Sequence, residues 1–319
     1  MRFYDAAATR DALPFELLIP ALRTMFAIGC EVPRRHVHEI GVEGGGSVTS
    51  LIMPAWLPGR CFGIKTVNIA SRNAARGLPG LHSTYILYDA ITGAPLAWID
   101  GDQITSRRTA AASALAASWL ARRDARHLLI VGAGQVARLL PEAYRAVRPI
   151  ERVTVWARSL AQADALASDL RGRGFDARGS ASLETAAGEA DIVSCATLAT
   201  EPVLSGRWLR PGSHLDLIGS FTPEMREADD DCFAGASLYV DTEEALVKSG
   251  DLLGPLSRGV FRAGEVRGSL AALARDEVAG RTSDSERTVF KSVGTALEDL
   301  AAAVLVHETK PRGQVDRSH

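Results

Sequence analysis

The stretch from His127 to Arg158 restricts what this chain can fold into more than any other. His127-Leu128-Leu129-Ile130-Val131 is an apolar run of strand length that passes directly into Gly132-Ala133-Gly134-Gln135-Val136-Ala137. Apolar residues at helical spacing continue from Ala137 to Ala146, and a second strand-like run, Arg152 to Trp156, follows. A glycine-rich turn between a strand and a helix is the setting in which a dinucleotide is held. Gly132 permits the tight turn, Gly134 lets the backbone approach a pyrophosphate, and Ala137 is small enough for close helix–strand packing. The helix start at Gln135 and Val136 presents backbone N–H groups and the positive end of a dipole to the phosphates. Gly-Ala-Gly also occurs in ordinary tight turns; the apolar strands on both sides favour the nucleotide site.

The end of the second strand discriminates between cofactors. An NAD site usually carries an acid there to bond the ribose 2′-hydroxyl. Here the chain reads Trp156-Ala157-Arg158-Ser159. A guanidinium and a hydroxyl suit a 2′-phosphate, and Arg158 can pair with it through two nitrogens. NADPH is therefore the expected cofactor, with NADH as the alternative, and Ala157, Arg158 and Ser159 are its expected contacts. A solvated surface arginine is the competing explanation.

At 319 residues the chain is long enough for two domains with cores of their own. A formal net charge of −2 gives no reason to expect nucleic acid or a membrane surface as partner. The four cysteines, Cys30, Cys61, Cys195 and Cys232, lie far apart, so reduced thiols and no metal site are expected. No targeting segment is evident, and the alanine-rich stretch Ala110 to Ala121 is too short to span a bilayer, so a cytoplasmic protein is expected.

Ahead of the glycine-rich turn, residues 13–29 have helical periodicity (Leu17, Leu18, Ala21, Leu22, Met25, Phe26), and Pro33-Arg34-Arg35 is expected to stop that helix. Strands are expected over His36–Ile40 and Ser47–Met53, joined across Gly44-Gly45-Gly46, then over Cys61–Val67, Thr84–Tyr88 and Pro95–Ile99. Arg108-Thr109 is expected to open a helix that runs through Leu120. A cation at a helix start opposes the macrodipole, which hints at a functional reason for Arg108. After the nucleotide motif come a helix at Ala161–Leu170 and strands at Asp191–Ala196, His214–Ile218 and Leu238–Asp241, the pattern of an open, mostly parallel sheet. The pattern changes near Thr288-Val289-Phe290-Lys291, and a terminal helix, Gly294–Val306, precedes a polar tail from Glu308 that reads as disordered.

Several motifs in combination resemble the ornithine cyclodeaminase/mu-crystallin family. They are Gly63-Ile64-Lys65-Thr66-Val67-Asn68, Gly77-Leu78-Pro79, Ile104-Thr105-Ser106-Arg107-Arg108-Thr109-Ala110-Ala111, Gly132-Ala133-Gly134, Ala196-Thr197-Leu198-Ala199-Thr200-Glu201-Pro202, Ser249-Gly250-Asp251 and Phe290-Lys291-Ser292-Val293-Gly294. The resemblance spans about residues 30 to 305. It implies an α/β fold: a Rossmann-type doubly wound parallel sheet over residues 113–290, which binds NADP(H). An N-terminal α+β domain for substrate and dimerisation, residues 1–112, would be completed by the C-terminal helix within 291–319. It also implies a homodimer that pairs through the N-terminal sheet domain.

The resemblance further implies roles for particular residues. Lys65 matches a lysine that faces the substrate carboxylate, and Arg108 an arginine where substrate and cofactor meet; both are the expected catalytic residues. Arg35 is the expected counterpart of a second carboxylate-binding arginine, with Arg34 beside it as a rival, and Val293 joins the expected substrate contacts. Ser83, Thr197, Leu198, Ser220 and Ser292 are expected to contact the cofactor. Asp299 is expected to make a polar tie between the terminal helix and the sheet domain. In the cyclodeaminases an aspartate that acts as general base follows the glycine at Gly219; here Ser220 stands there, and an alcohol cannot replace a carboxylate as base without an activating partner.

Within the family, the wording is most similar to the bacterial Δ1-pyrroline-2-carboxylate (ketimine) reductases. The phrases are Leu81-His82-Ser83-Thr84-Tyr85, Arg138-Leu139-Leu140-Pro141-Glu142-Ala143-Tyr144-Arg145 and His214-Leu215-Asp216-Leu217-Ile218-Gly219-Ser220-Phe221-Thr222-Pro223. The implied reaction is NAD(P)H-dependent reduction of a small cyclic imino acid, the five-membered imine to L-proline and the six-membered one to L-pipecolate. Arg35, Lys65 and Arg108 would hold the carboxylate, Lys65 or a bound water would protonate the imine nitrogen, and hydride would reach C2. An ornithine cyclodeaminase, an amino-acid dehydrogenase and a non-catalytic NADPH-binding protein of crystallin type are the alternatives.

Overall fold

Every second residue from Cys61 to Val67 is buried, as in a strand with one face against a core, yet the third of the four buried positions is Lys65. That anomaly sits at the centre of the first of two compact units. A computed structural model describes residues 1–43 and 46–309; the Gly44-Gly45 part of the expected turn and residues 310–319 of the expected tail lie outside them. The units comprise Met1–Arg108 with Thr295–His319, and Thr109–Gly294.

The first unit is built on a six-stranded mixed sheet. Its strands are β1 (Arg2–Tyr4), β2 (His36–Gly41), β3 (Ser47–Leu57), β4 (Cys61–Ile69), β5 (Leu81–Asp89) and β6 (Pro95–Asp100), in the order β1-β6-β5-β4-β3-β2. All pairs are antiparallel except β1 with β6. Pro54 does not end β3, which runs on to Leu57. Helices α1 (Ala6–Ala12) and α2 (Phe15–Ile28) precede β2, and α3 (Gly101–Leu120) starts directly after β6. The terminal helix α10 (Ala296–Glu308) packs against β3, β4 and β5 and against α2. The opposite face of the sheet carries half-buried Ile52, Trp56, Ile64 and Ile86, with Phe62 stacked on Tyr88 at 4.5 Å and Phe3 on Trp98 at 4.4 Å.

Two expectations about helices need correction. Helix α2 ends at Ile28, close to the end expected for residues 13–29, but what stops it is Gly29 and not the Pro33-Arg34-Arg35 segment; the Gly29 φ of 75° is one that no β-carbon-bearing residue adopts cheaply. Leu17, counted with the apolar stripe, is half exposed. Helix α3 opens at Gly101 rather than Arg108, with the Asp100 carboxylate accepting the Gln103 N–H at 2.8 Å as a cap. Thr105, Ser106 and Thr109 are poor helix formers, which hid the first two turns. Arg108 lies nearly two turns inside the helix, beyond the first turn where the macrodipole acts, so that hint falls.

The second unit is an eight-stranded, all-parallel sheet of Rossmann type. Its strands are β7 (His127–Val131), β8 (Arg152–Trp156), β9 (Asp176–Gly179), β10 (Ile192–Cys195), β11 (His214–Leu217), β12 (Ser237–Val240), β13 (Gly268–Ser269) and β14 (Thr288–Lys291). The order is β13-β12-β14-β11-β10-β7-β8-β9. The helices are α4 (Gln135–Arg145), α5 (Leu160–Gly172), α6 (Leu183–Glu189), α7 (Ala245–Lys248), α8 (Gly250–Ser257) and α9 (Leu270–Ala274). Strands β7, β10, β11, β12 and β14 are buried along their whole length, as parallel strands covered on both faces must be; β7 is apolar after His127, whereas β11 and β14 bury polar residues at alternate or terminal positions. The Thr288–Lys291 segment, where the sequence pattern merely changes, is a central strand between β11 and β12. Its polar ends, Thr288 and Lys291, are both fully buried and masked it.

Candidate active site

Four buried charges converge in the first unit. Lys65 on β4 pairs with Asp299 on α10, Nζ to Oδ2 at 2.6 Å, at an angle poor for a hydrogen bond, and contacts the Thr105 hydroxyl of α3 at 3.3 Å. Arg108, one turn after Thr105 on the same helix face, donates from Nε to Asp299 Oδ1 at 3.0 Å and from Nη1 to Glu298 Oε2 at 2.5 Å. Lys65 is 2% exposed and both acids are fully buried. Two cations face two carboxylates, and the cluster is electrically balanced.

The balance sets the proton affinities. Burial pushes the Lys65 ammonium down to about 8, opposed by the Asp299 carboxylate and assisted by the Arg108 charge. Burial alone would raise the Asp299 carboxyl, but Lys65 and Arg108 hold it below the usual carboxylate range. Tyr85 stands opposite Lys65 in the β4–β5 register, and burial together with the Asp299 charge keeps its phenol neutral. Its buried hydroxyl has no hydrogen-bond partner among the described residues.

Arg35 immediately precedes β2 and is half-buried. His36 pairs with Ile52 and Met53 with Lys65, so carrying the register one residue further puts Arg35 level with Lys65, two strands away and about 10 Å across the sheet. Ser83 is also in this unit, its hydroxyl donated to Asp102 at 2.6 Å.

The second unit gathers the nucleotide motif. Gly132 ends β7 with a φ of 121°, and a β-carbon there would lie 2.6 Å from the Ala196 carbonyl. Gly134 caps α4 with open space where a side chain would stand, Gln135 is exposed and Val136 half-buried, while Ala137 is fully buried against the sheet. This cradle fits a pyrophosphate. Ala157, Arg158 and Ser159 follow β8, with Arg158 and Ser159 exposed and Ser159 at the start of α5. Thr197 and Leu198 follow β10; the Thr197 hydroxyl and N–H both donate to Glu227, and Leu198 is 77% exposed.

Past β11 and β14 the expected residues are engaged internally. Ser220 is fully buried, its hydroxyl donating to the Met225 carbonyl at 2.5 Å, contacting the Ser249 hydroxyl and accepting the Asp251 N–H. The Ser292 N–H donates to the Leu217 carbonyl at 3.1 Å, and the Val293 N–H to Asp241 at 2.8 Å. Sequence reasoning missed Glu298, Thr105, Tyr85 and Glu227 and took Asp299 for a tie alone. The available signal was Glu298-Asp299, two adjacent acids inside an otherwise apolar helix.

Comparison with known proteins bears on this geometry. The model of the ornithine cyclodeaminase/mu-crystallin family matches residues 38–314. The Δ1-pyrroline-2-carboxylate reductase of Paracoccus denitrificans is 44% identical over 277 residues, 86% of this chain and 87% of that protein. The structure of the Thermococcus litoralis Δ1-pyrroline-2-carboxylate reductase in complex with NADH and L-proline matches with a TM-score of 0.89 at 33% identity, covering 97% of each chain. An archaeal alanine dehydrogenase dimer with bound NAD matches at 0.88 and 28% identity, covering 97% of this chain and 95% of that one.

Proposed function

The chain belongs to the ornithine cyclodeaminase/mu-crystallin family, and from that premise we propose that it is an oxidoreductase reducing Δ1-pyrroline-2-carboxylate to L-proline, and the six-membered homologue to L-pipecolate, with NADPH. The observation that carries this reading is the balanced cluster around Lys65: a buried ammonium near 8 beside a buried guanidinium and two carboxylates. A neutral cluster suits a substrate that is itself a zwitterion, and a protonated cyclic imine with its carboxylate is one.

In this mechanism Arg108 and Arg35 receive the substrate carboxylate, the guanidinium forks fixing its plane. Lys65, protonated at neutral pH but close to releasing its proton, supplies the proton for the imine nitrogen directly or through a water. Asp299 restrains the ammonium and balances the positive charge that builds at that nitrogen. The Tyr85 hydroxyl offers a further donor, and burial keeps water from the reacting atoms. When bound, a dihydronicotinamide would supply the hydride for C2; with the proton at nitrogen, the C=N bond would become CH–NH. Gly132, Gly134, Gln135 and Val136 would hold its pyrophosphate, and Arg158 with Ser159 would take the 2′-phosphate.

Ser220 weighs against the cyclodeaminase alternative, because its hydroxyl is buried and already donates to a carbonyl. A second copy of the chain would cover the aromatic outer face of the six-stranded sheet, giving a homodimer. The test is oxidation of NADPH and of NADH with each cyclic imine, alongside Lys65→Ala. Turnover that this variant loses supports the reading. Tight NADPH binding without turnover of either imine would refute it, and ammonia released from ornithine would point to the cyclodeaminase.

A further inference from the structure

Open α/β sheets bind their ligands outside the carboxyl ends of the strands, where the strand order reverses, here between β7 and β10. The segments leaving β7, β10 and β11 line this edge side by side. What holds them in register is one carboxylate. Glu227 Oε1 accepts the Thr197 N–H at 2.7 Å and the Thr197 hydroxyl at 2.8 Å, just past β10. Its Oε2 accepts the Gly219 N–H at 2.7 Å, just past β11. Each oxygen therefore serves a different loop. The β10 loop in turn lies against the fingerprint turn, since Ala196 and Thr197 are the nearest neighbours of a β-carbon built on Gly132.

Glu227 is itself fixed on both sides. Its carbonyl accepts from Val203 and Leu204 at 2.9 and 3.0 Å, and its N–H donates to Asp251 Oδ1 at 2.8 Å. Lys291 faces this group from β14, 3.5 Å from Asp251 Oδ2 and donating to the Leu217 carbonyl at 2.9 Å. Glu227 is fully buried, so it reaches a ligand only through the loops it holds.

We infer that Glu227 is a positioning residue for the dinucleotide, its carboxylate locking the loops after β10 and β11 into one platform beside the glycine turn. The inference rests on the dinucleotide-dependent reading above and extends it to a residue outside the ligand contacts. A carboxylate is required because all its donors are N–H or O–H groups. In Glu227→Gln the side chain keeps its shape, but whichever way the amide turns, an N–H meets a backbone N–H and one loop is released.

The control is Asp216, an equally buried carboxylate on β11 whose donors are the hydroxyls of Ser113, Tyr144 and Ser194 rather than loop backbone. Dinucleotide affinity is read by fluorescence titration. We expect Glu227→Gln to weaken NADPH and NADH alike by about tenfold or more, the loss of a charge-assisted hydrogen bond to a binding loop. The KM for the imine at saturating dinucleotide should stay unchanged, and Asp216→Asn should leave dinucleotide affinity within about twofold, since the loops remain tied. Thr197→Val, which removes the hydroxyl that donates to Glu227 and accepts the Ala199 N–H at 3.3 Å but leaves the Thr197 N–H on Glu227, should weaken binding about threefold, and it carries the test if Glu227→Gln fails to fold. Unchanged affinity in Glu227→Gln, or in Thr197→Val where that variant stands alone, overturns the inference, as does an equal loss in Asp216→Asn. A wild-type protein that binds neither dinucleotide would overturn the functional reading as well, so the two failures are distinguishable.

Discussion

Replacing Asp299 by asparagine removes the charge that faces both Lys65 and Arg108 while keeping the side-chain volume. At 2.6 Å, and with an effective dielectric constant of about 20, the Lys65–Asp299 attraction is about 6 kcal/mol, most of it offset by the desolvation of both groups. Removing one partner of such a buried pair typically costs about 3–5 kcal/mol, so the urea midpoint at pH 7 should fall clearly. The effect on chemistry is more diagnostic. Lys65 sits near 8 because burial lowers its proton affinity and Asp299 raises it. Without the carboxylate, a net loss of about 1.5–3 kcal/mol would lower that affinity ten- to hundredfold. An acid catalyst must be protonated, so kcat/KM of the wild type should fall as pH rises through about 8. In Asp299→Asn this basic limb should move to lower pH by one to two units on that estimate. An unmoved limb, in a variant that folds and turns over, would refute Lys65 as the proton donor held by Asp299.

Three further outcomes are expected. Arg158→Ala should raise the KM for NADPH about ten- to hundredfold and leave that for NADH nearly unchanged, and equal effects on both would remove the 2′-phosphate assignment. Burial raises the Asp216 carboxyl to about 6 and the Glu227 carboxyl to about 7, both above their unfolded values. The folded state then holds protons that the unfolded chain has lost, so this contribution to stability is full below about pH 4 and declines as pH rises through 6 and 7. Buried His214, pushed down to about 3, works in the opposite direction below about pH 6.5, so the test is a difference: from pH 5 to pH 8 the urea midpoint should fall more in the wild type than in Asp216→Asn, and parallel profiles would contradict it. Ile64→Glu, on the outer sheet face, should convert a dimer to a monomer in sedimentation equilibrium, and a dimer that persists would rule out that face.

Several elements were legible in the chain because their physics is local. The strand–glycine–helix unit announces itself through an apolar run, two glycines and a small residue, and β7 and β8 lie at the residues expected. The same holds for the one-face-buried strands of the first sheet, whose alternation marks them. The start of α3 escaped because its first two turns are polar and β-branched and its cap, Asp100, belongs to the preceding strand. Strand β14 escaped because four residues with polar ends carry no periodicity of their own; it is a strand because β11 and β12 flank it.

By itself the sequence determined the parallel Rossmann-type sheet, the mixed sheet of the other unit and the family resemblance, and it singled out Lys65 and Arg108. Only the tertiary structure decided what those cations face. Glu298 and Asp299 lie 190 and 191 positions along the chain from Arg108, and no periodicity links residues so distant until α10 packs on the sheet. The same is true of Glu227, an unremarked acid in a loop whose backbone donors come from two separate strand ends. Helices and strands follow from near-neighbour sterics and hydrophobic spacing, which the chain carries in its order. Proton affinity and loop position depend on burial and on charges a few ångströms away, which exist only once distant segments have packed together.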